Sequence, residues 1–162
     1  MLDFFWKKKS SSTIVQQRIR RLLDQTVHFA YVNDEPRRRT SRTIRILPAL
    51  LAPWKDGQPL VEAACFGITQ NLSDTGVALI LTAPFEHDEV CVGIPIPKDE
   101  TADPYYFVGR ATHLTPIGGG FWTLGIALTD CATESFPDKV RALRHLARRL
   151  FPARSVEAIA NA

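Results

Sequence analysis

The chain has 162 residues, of which 45% are apolar and 23% charged, the balance of one globular domain with extensions. No apolar run approaches the ~20 residues of a membrane-spanning helix, and Met1–Lys9 lacks the order of a secretory signal, since its lysines follow its apolar residues. The net charge of +3 conceals an asymmetry: residues 1–45 hold eleven Lys/Arg against four Asp/Glu, residues 46–130 three against ten, and residues 131–162 six against three. A long polyanion would favour positive charge over the folded body, so this acidic centre with basic flanks argues against DNA or RNA and for a local anionic target.

Residues 1–12 read as a mobile tail. Phe4, Phe5 and Trp6 beside Lys7, Lys8 and Lys9 carry an alternative, contact with an anionic membrane. From Thr13 to Val27, Val15, Ile19, Leu22, Leu23 and Val27 recur at helical spacing among Gln and Arg, which predicts an amphipathic helix. Its apolar face could pack on the chain's own domain, dock a partner, or form a homodimer. The segment 31–42 then carries Pro36 and the cluster Arg37-Arg38-Arg39-Thr40-Ser41-Arg42, read as a loop.

Strands follow. We expect them at Thr43–Leu47, ended by Pro48, then Leu60–Thr69, Val77–Leu81, Glu89–Ile96, Tyr105–Leu114 and Phe121–Leu128, with a glycine turn at 118–120. Six short strands at this spacing predict an antiparallel barrel, making the chain mainly β with flanking helices (α+β). The closing helix carries Phe136, Val140, Leu143, Ala147 and Leu150 on one face, begins at Ser135 or Phe136 with Pro137 in its first turn, and ends before Pro152. Its other face is basic and includes a second Arg-x-x-x-Arg at Arg144 and Arg148, read as solvated.

Cys65, Cys91 and Cys131 are odd in number and widely spaced, which suggests reduced thiols in a cytoplasmic protein. Glu86-His87-Asp88-Glu89-Cys91 has no matching second half for a metal site. Cys65 and His113 read as core or strand-face residues. No nucleophile elbow or phosphate-cradling loop is visible, so neither catalysis nor a cofactor is expected.

Two polar motifs remain. One is Arg38-x-x-x-Arg42, with Arg37 just before it; the other is Asn71-x-Ser73-x-x-Gly76, and 28 residues separate Arg42 from Asn71. In this order and setting the pair resembles the signature of the PilZ domain, a bacterial receptor module for cyclic di-GMP. The resemblance covers residues 31–152 and leaves 1–30 as tail and helix and 153–162 as a C-terminal tail. It implies a six-stranded barrel with a closing helix. The family's late Gly-plus-aromatic pattern stands here as Gly125-Ile126-Ala127-Leu128, with Leu where Phe is common.

Carried over residue by residue, Arg38 and Arg42 would engage phosphate oxygens and guanine. Arg37 would stack on a second base, and Asn71 and Ser73 would bond guanine edges. Gly76 would allow close approach or supply a turn. Paired guanidiniums suit a dianionic phosphodiester ring and guanine faces. The implied function is a non-catalytic cyclic di-GMP receptor, in which ordering of the arginine arm reorients the Thr13–Val27 helix and signals to a protein partner. The alternative is a protein-interaction adaptor that does not bind the nucleotide. One ligand or an intercalated pair are both open.

Overall fold

A computed structural model describes residues 11–24, 43–44, 46–96 and 103–150. Its elements are helix α1 (Ser11–Asp24), strands β1 (Thr43–Ile44), β2 (Pro48–Lys55), β3 (Gln58–Pro59), β4 (Cys65–Leu72), β5 (Gly76–Leu81), β6 (Glu89–Ile94), β7 (Tyr105–Gly118) and β8 (Phe121–Cys131), and the short helices α2 (Ala132–Ser135), α3 (Pro137–Val140) and α4 (Arg144–Leu150). Every strand pairing is antiparallel, in the order β4-β5-β8-β7-β6-β2, and β2 returns to β4. The expected closed six-stranded barrel with an N-terminal and a C-terminal helical segment is therefore present. Closure leaves no long open edge.

The first barrel strand is not the expected one. Thr43–Leu47 was to end at Pro48, yet the long strand is β2, running from Pro48 to Lys55 through Pro53. The reason is stagger. β2 meets β4 along 48–51 and β6 along 50–53, so Pro48 has a partner only in β4 and Pro53 only in β6. A missing N–H is tolerated where one side of the strand is unpaired. The short β1 continues the same line, with Thr43 opposite Leu72 and Ile44 opposite Asn71. Farther on, Leu60 closes a turn by donating its N–H to the Pro53 carbonyl (2.8 Å), and Val61–Ala63 forms one 3-10 turn, so β4 starts five residues later than expected.

β2 is buried on both faces, which explains its unbroken apolar run. Ala49 and Leu51 enter the barrel interior with Leu72, Leu79, Val92, Phe107 and Leu124. Leu50, Ala52 and Trp54 face outward into a second cluster with Tyr106, Val140, Leu143 and Ala147, which lies under the C-terminal helical turns. There Trp54 meets Phe136 edge-on, with ring centroids 5.2 Å apart. The expected C-terminal helix runs from Pro137 to Leu150 as α3 and α4, joined by a 3-10 turn at Arg141–Leu143, and α2 precedes it. Phe136, at φ −136° and ψ 51°, separates α2 from α3 at the expected helix start, because a residue before proline is disfavoured in the α region.

Helix α1 closes the barrel interior. Val15, Ile19 and Leu22 are almost wholly buried and belong to the barrel's own core. Its Arg18 pairs with Glu134 and lies 5.3 Å from the centre of the Tyr105 ring. The apolar face offered to a homodimer by the sequence is thus taken by the chain's own barrel. Among the described residues, no helix is long and apolar enough to cross a membrane, and all three cysteines are free thiols.

Candidate functional site

Arg37, Arg38 and Arg42 lie outside the described residues. The first described residue after them, Thr43, pairs with Leu72, and Ile44 pairs with Asn71. Thr43, the residue after the arginine motif, therefore lies directly beside the second motif, although 28 residues separate Arg42 from Asn71.

Asn71 lies past Thr69, the expected end of the second strand, but is still in β4. Its direction depends on a bulge. Ile68 pairs with Ile80 and Thr69 with Leu79, then the register shifts and Asn71 pairs with Ala78. The extra residue is Gln70. Simple alternation would send Asn71 to the same side as Thr69, which is buried; the bulge turns it to the outer face instead. The corner is only Ser73–Thr75. Here the Ser73 hydroxyl accepts the N–H of Gly76 at 3.1 Å and of Thr75 at 3.4 Å, while the Ser73 N–H donates to the Gly76 carbonyl at 2.9 Å. Ser73 is only 6% exposed, so its oxygen is engaged by its own turn. Ser73→Ala is expected to lower the unfolding free energy by about 1 kcal/mol, the worth of one such bond. Urea unfolding reads this directly; unchanged stability would mean that the backbone bonds alone hold the corner.

Gly76 faces outward at the start of β5, where an added Cβ would stand 2.7 Å from the Ile126 carbonyl oxygen. Any side chain there would push β5 and β8 apart. Gly76 pairs with Ala127 and Ala78 with Gly125. Since Val77, Leu79, Leu124 and Ile126 fill the interior, the alternating Gly76, Ala78, Gly125 and Ala127 form a floor of minimal side chains on the outer wall. Asn71 borders it on the β4 side. On the β7 side stand Arg110, opposite Ala127, and His113, opposite Gly125.

The charges around this floor are mixed. Asp74, within the corner, faces Arg20 of α1 at 4.0 Å, and Glu89 sits across the ladder from Arg110. A platform of small side chains edged by hydrogen-bonding and cationic groups suits a flat anionic molecule. A half-open concavity near the C-terminal helix, about 180 Å³ beside Tyr106, Thr133 and Arg144, is too small for a dinucleotide, and Asp103 already binds Arg144 there.

Arg110 and His113 were missed by the sequence reading, which placed His113 in the core or on a strand face. The signal was the hairpin: Gly118 pairs with Phe121, but a register shift between Pro116 and Gly118 intervenes before His113 meets Gly125. Counting back from the glycine turn misplaces it.

No family model matches the sequence, and no curated protein matches it either. Solved structures do. The Bacillus subtilis inhibitor of motility (MotI/DgrA) is 16% identical with a TM-score of 0.46, over 68% of this chain and 51% of that one. The PilZ domain of Escherichia coli YcgR, solved with c-di-GMP, is 12% identical with a TM-score of 0.41, over 74% of this chain and 97% of that domain. The Borreliella burgdorferi PlzA protein, in complex with c-di-GMP, is 8% identical with a TM-score of 0.39, over 88% of this chain and 58% of that one. This chain thus spans about half the length of the motility inhibitor.

Proposed function

We propose that this chain is a PilZ-type, non-catalytic receptor for cyclic di-GMP. The observation that supports the reading is the pairing of β1 with β4, in which Thr43 and Ile44, the residues that follow the Arg37–Arg42 segment in the chain, lie opposite Leu72 and Asn71 at the rim of a floor of small residues. Cationic side chains from a connecting segment, an amide at the rim and a floor of small side chains are what a flat, dianionic dinucleotide requires. Arg38 and Arg42 clamp the phosphates and guanine, Arg37 stacks on a further base, and Asn71 bonds a guanine edge. Gly76 keeps the floor open, and Ser73 acts through the shape of the corner that holds it.

The route to a protein partner passes through α1. Residues 25–42 join that helix to β1, and Arg20 of α1 stands beside Asp74 in the corner. Ligand capture at the rim therefore acts on both ends of the connection.

Calorimetric titration of the whole chain with cyclic di-GMP tests the reading. We expect an affinity of about micromolar or better, and the stoichiometry separates one ligand from a pair. A folded protein that takes up no cyclic di-GMP would move the assignment to an interaction adaptor. Ile46 and Ile68, 78% and 45% exposed on the wall beyond the platform, are the surface such an adaptor would use.

A further inference from the structure

Among the described residues five large apolar side chains are exposed: Ile46, Phe66, Ile68, Ile117 and Phe121. All five fall on one field of the outer wall. Ile68 pairs with Ile80, Ile80 with Thr123, and Thr123 with Thr115, so these four stand in one cross-strand row. The alternate positions Leu79, Leu81 and Leu124 fill the interior, which turns the row outward. Phe66 and Phe121 lie two residues farther along β4 and β8, on the same face, and Ile117 is next to Gly118, the partner of Phe121. Leu47 bonds Thr69 through both its backbone groups and packs against the core, so Ile46 before it faces out on the β1 side of β4.

None of these residues is charged. A contiguous exposed apolar patch of this kind marks a contact surface. It also adjoins the candidate site, because its row is the next outward row after Asn71, Ala78 and Gly125.

The border of the field specifies what fits it. The connections that leave the Phe66 end of the wall carry Asp56, Glu62, Glu86, Asp88 and Glu89, all exposed, against Lys55 and Arg110. An apolar surface with an acidic border is complementary to a segment in which aromatic residues are followed by cations. The chain holds such a segment, Phe4-Phe5-Trp6-Lys7-Lys8-Lys9, joined through Ser10 to α1. Helix α1 packs on the barrel's own core. Ten residues precede it, and their extended reach is about 30 Å, the width of a small domain. A tether of that length holds the segment at an effective concentration of about millimolar, above that of a second copy in dilute solution.

We propose that Leu2–Lys9 docks on this field of its own chain. Phe4, Phe5 and Trp6 cover the apolar wall, and Lys7, Lys8 and Lys9 face the acidic border. The segment then lies over Ile46 and Ile68, the surface a protein partner would otherwise meet, and beside the floor of the candidate site. The proposal stands apart from the receptor reading, since it needs no nucleotide.

Trp6 supplies the test, because its emission is isolated by measuring each protein with and without Trp6→Phe. The full chain is compared with Ile68→Lys and Ile117→Lys, two exposed positions on different strands, with thermal unfolding as the control for folding. Wild-type Trp6 should emit to the blue of a free peptide of residues 1–10. Either lysine variant should weaken docking at least about tenfold and move the emission to that of the peptide. Added salt should weaken docking as well, whereas about tenfold dilution should leave it unchanged. Peptide-like emission in the wild type would overturn the proposal, as would blue emission that neither lysine variant alters, which would put the segment elsewhere. Docking indifferent to salt would remove the acidic border from the contact and overturn it. Loss of docking on dilution would assign the field to the tail of a second copy instead.

Discussion

The Arg38→Ala/Arg42→Ala double variant should lose cyclic di-GMP binding by at least several hundredfold, read by calorimetric titration beside the wild type. The ligand is a dianion, and the body of the domain does little to attract it. Residues 46–130 carry ten acidic side chains against three basic ones, and Asp74 stands in the corner of the site itself. The favourable charge must come from the segment before β1. Removing one charged partner from a desolvated contact costs roughly 2–5 kcal/mol, so Arg42→Ala alone should weaken binding at least about 30-fold. Two arginines on one ligand do not add fully, because each variant lets the ligand settle differently. Hence several hundredfold rather than the full product. Binding by the wild type should also weaken as salt rises, and the double variant should lose that dependence. Unchanged affinity in the double variant would remove the arginines from the site and leave the platform without its clamp.

The barrel was largely legible in the sequence because its cues are local. Turn residues bound the strands, the apolar run Val77–Leu81 marks β5, and the glycine run at 118–120 forms the β7–β8 turn as expected. What was not legible depends on neighbours. Pro48 and Pro53 look like strand breakers until the stagger of β2 between β4 and β6 is known. The unbroken apolar run of β2 could not announce a strand covered on both sides, since the second cover is a helical segment some ninety residues away. The site is divided in the same manner. Asn71, Ser73 and Gly76 were identifiable from spacing, but Ser73's engagement in its own turn was not. The outward aim of Asn71 and His113 comes from two bulges, and an inserted residue in a strand has no sequence mark of its own. Asn71 and His113 lie on one cross-strand row, and Gly76 and Arg110 on another, relations that only pairing can reveal.

Ile19→Ala should lower the unfolding free energy by about 2–5 kcal/mol, the usual cost of truncating a fully buried aliphatic side chain. For a chain of this size that corresponds to a fall in melting temperature of roughly 5–15 °C. Ile19 has no exposed surface and shares the barrel core with Val15 and Leu22. If α1 were instead an appendage held for a partner, the truncation would leave the melting temperature unchanged. The measurement bears on signalling as well as on stability. Burying three such side chains is worth about 1.5–3 kcal/mol each, so complete undocking of α1 costs on the order of 5–9 kcal/mol. A ligand moves an equilibrium only by its differential affinity for the two states, and a shift from 1:99 to 99:1 already requires about 5.5 kcal/mol. Cyclic di-GMP capture at the rim can tilt or slide a docked helix within that range, whereas releasing it outright would require nearly all the binding energy. A homodimer through the same apolar face faces the same cost in each subunit. Ile19→Ala lowers the barrier to both, so it should increase any ligand-induced protease sensitivity of α1 relative to wild type. Equal protection of the helix in the two proteins, with and without cyclic di-GMP, would mean that the signal leaves the domain by the platform surface and not through α1.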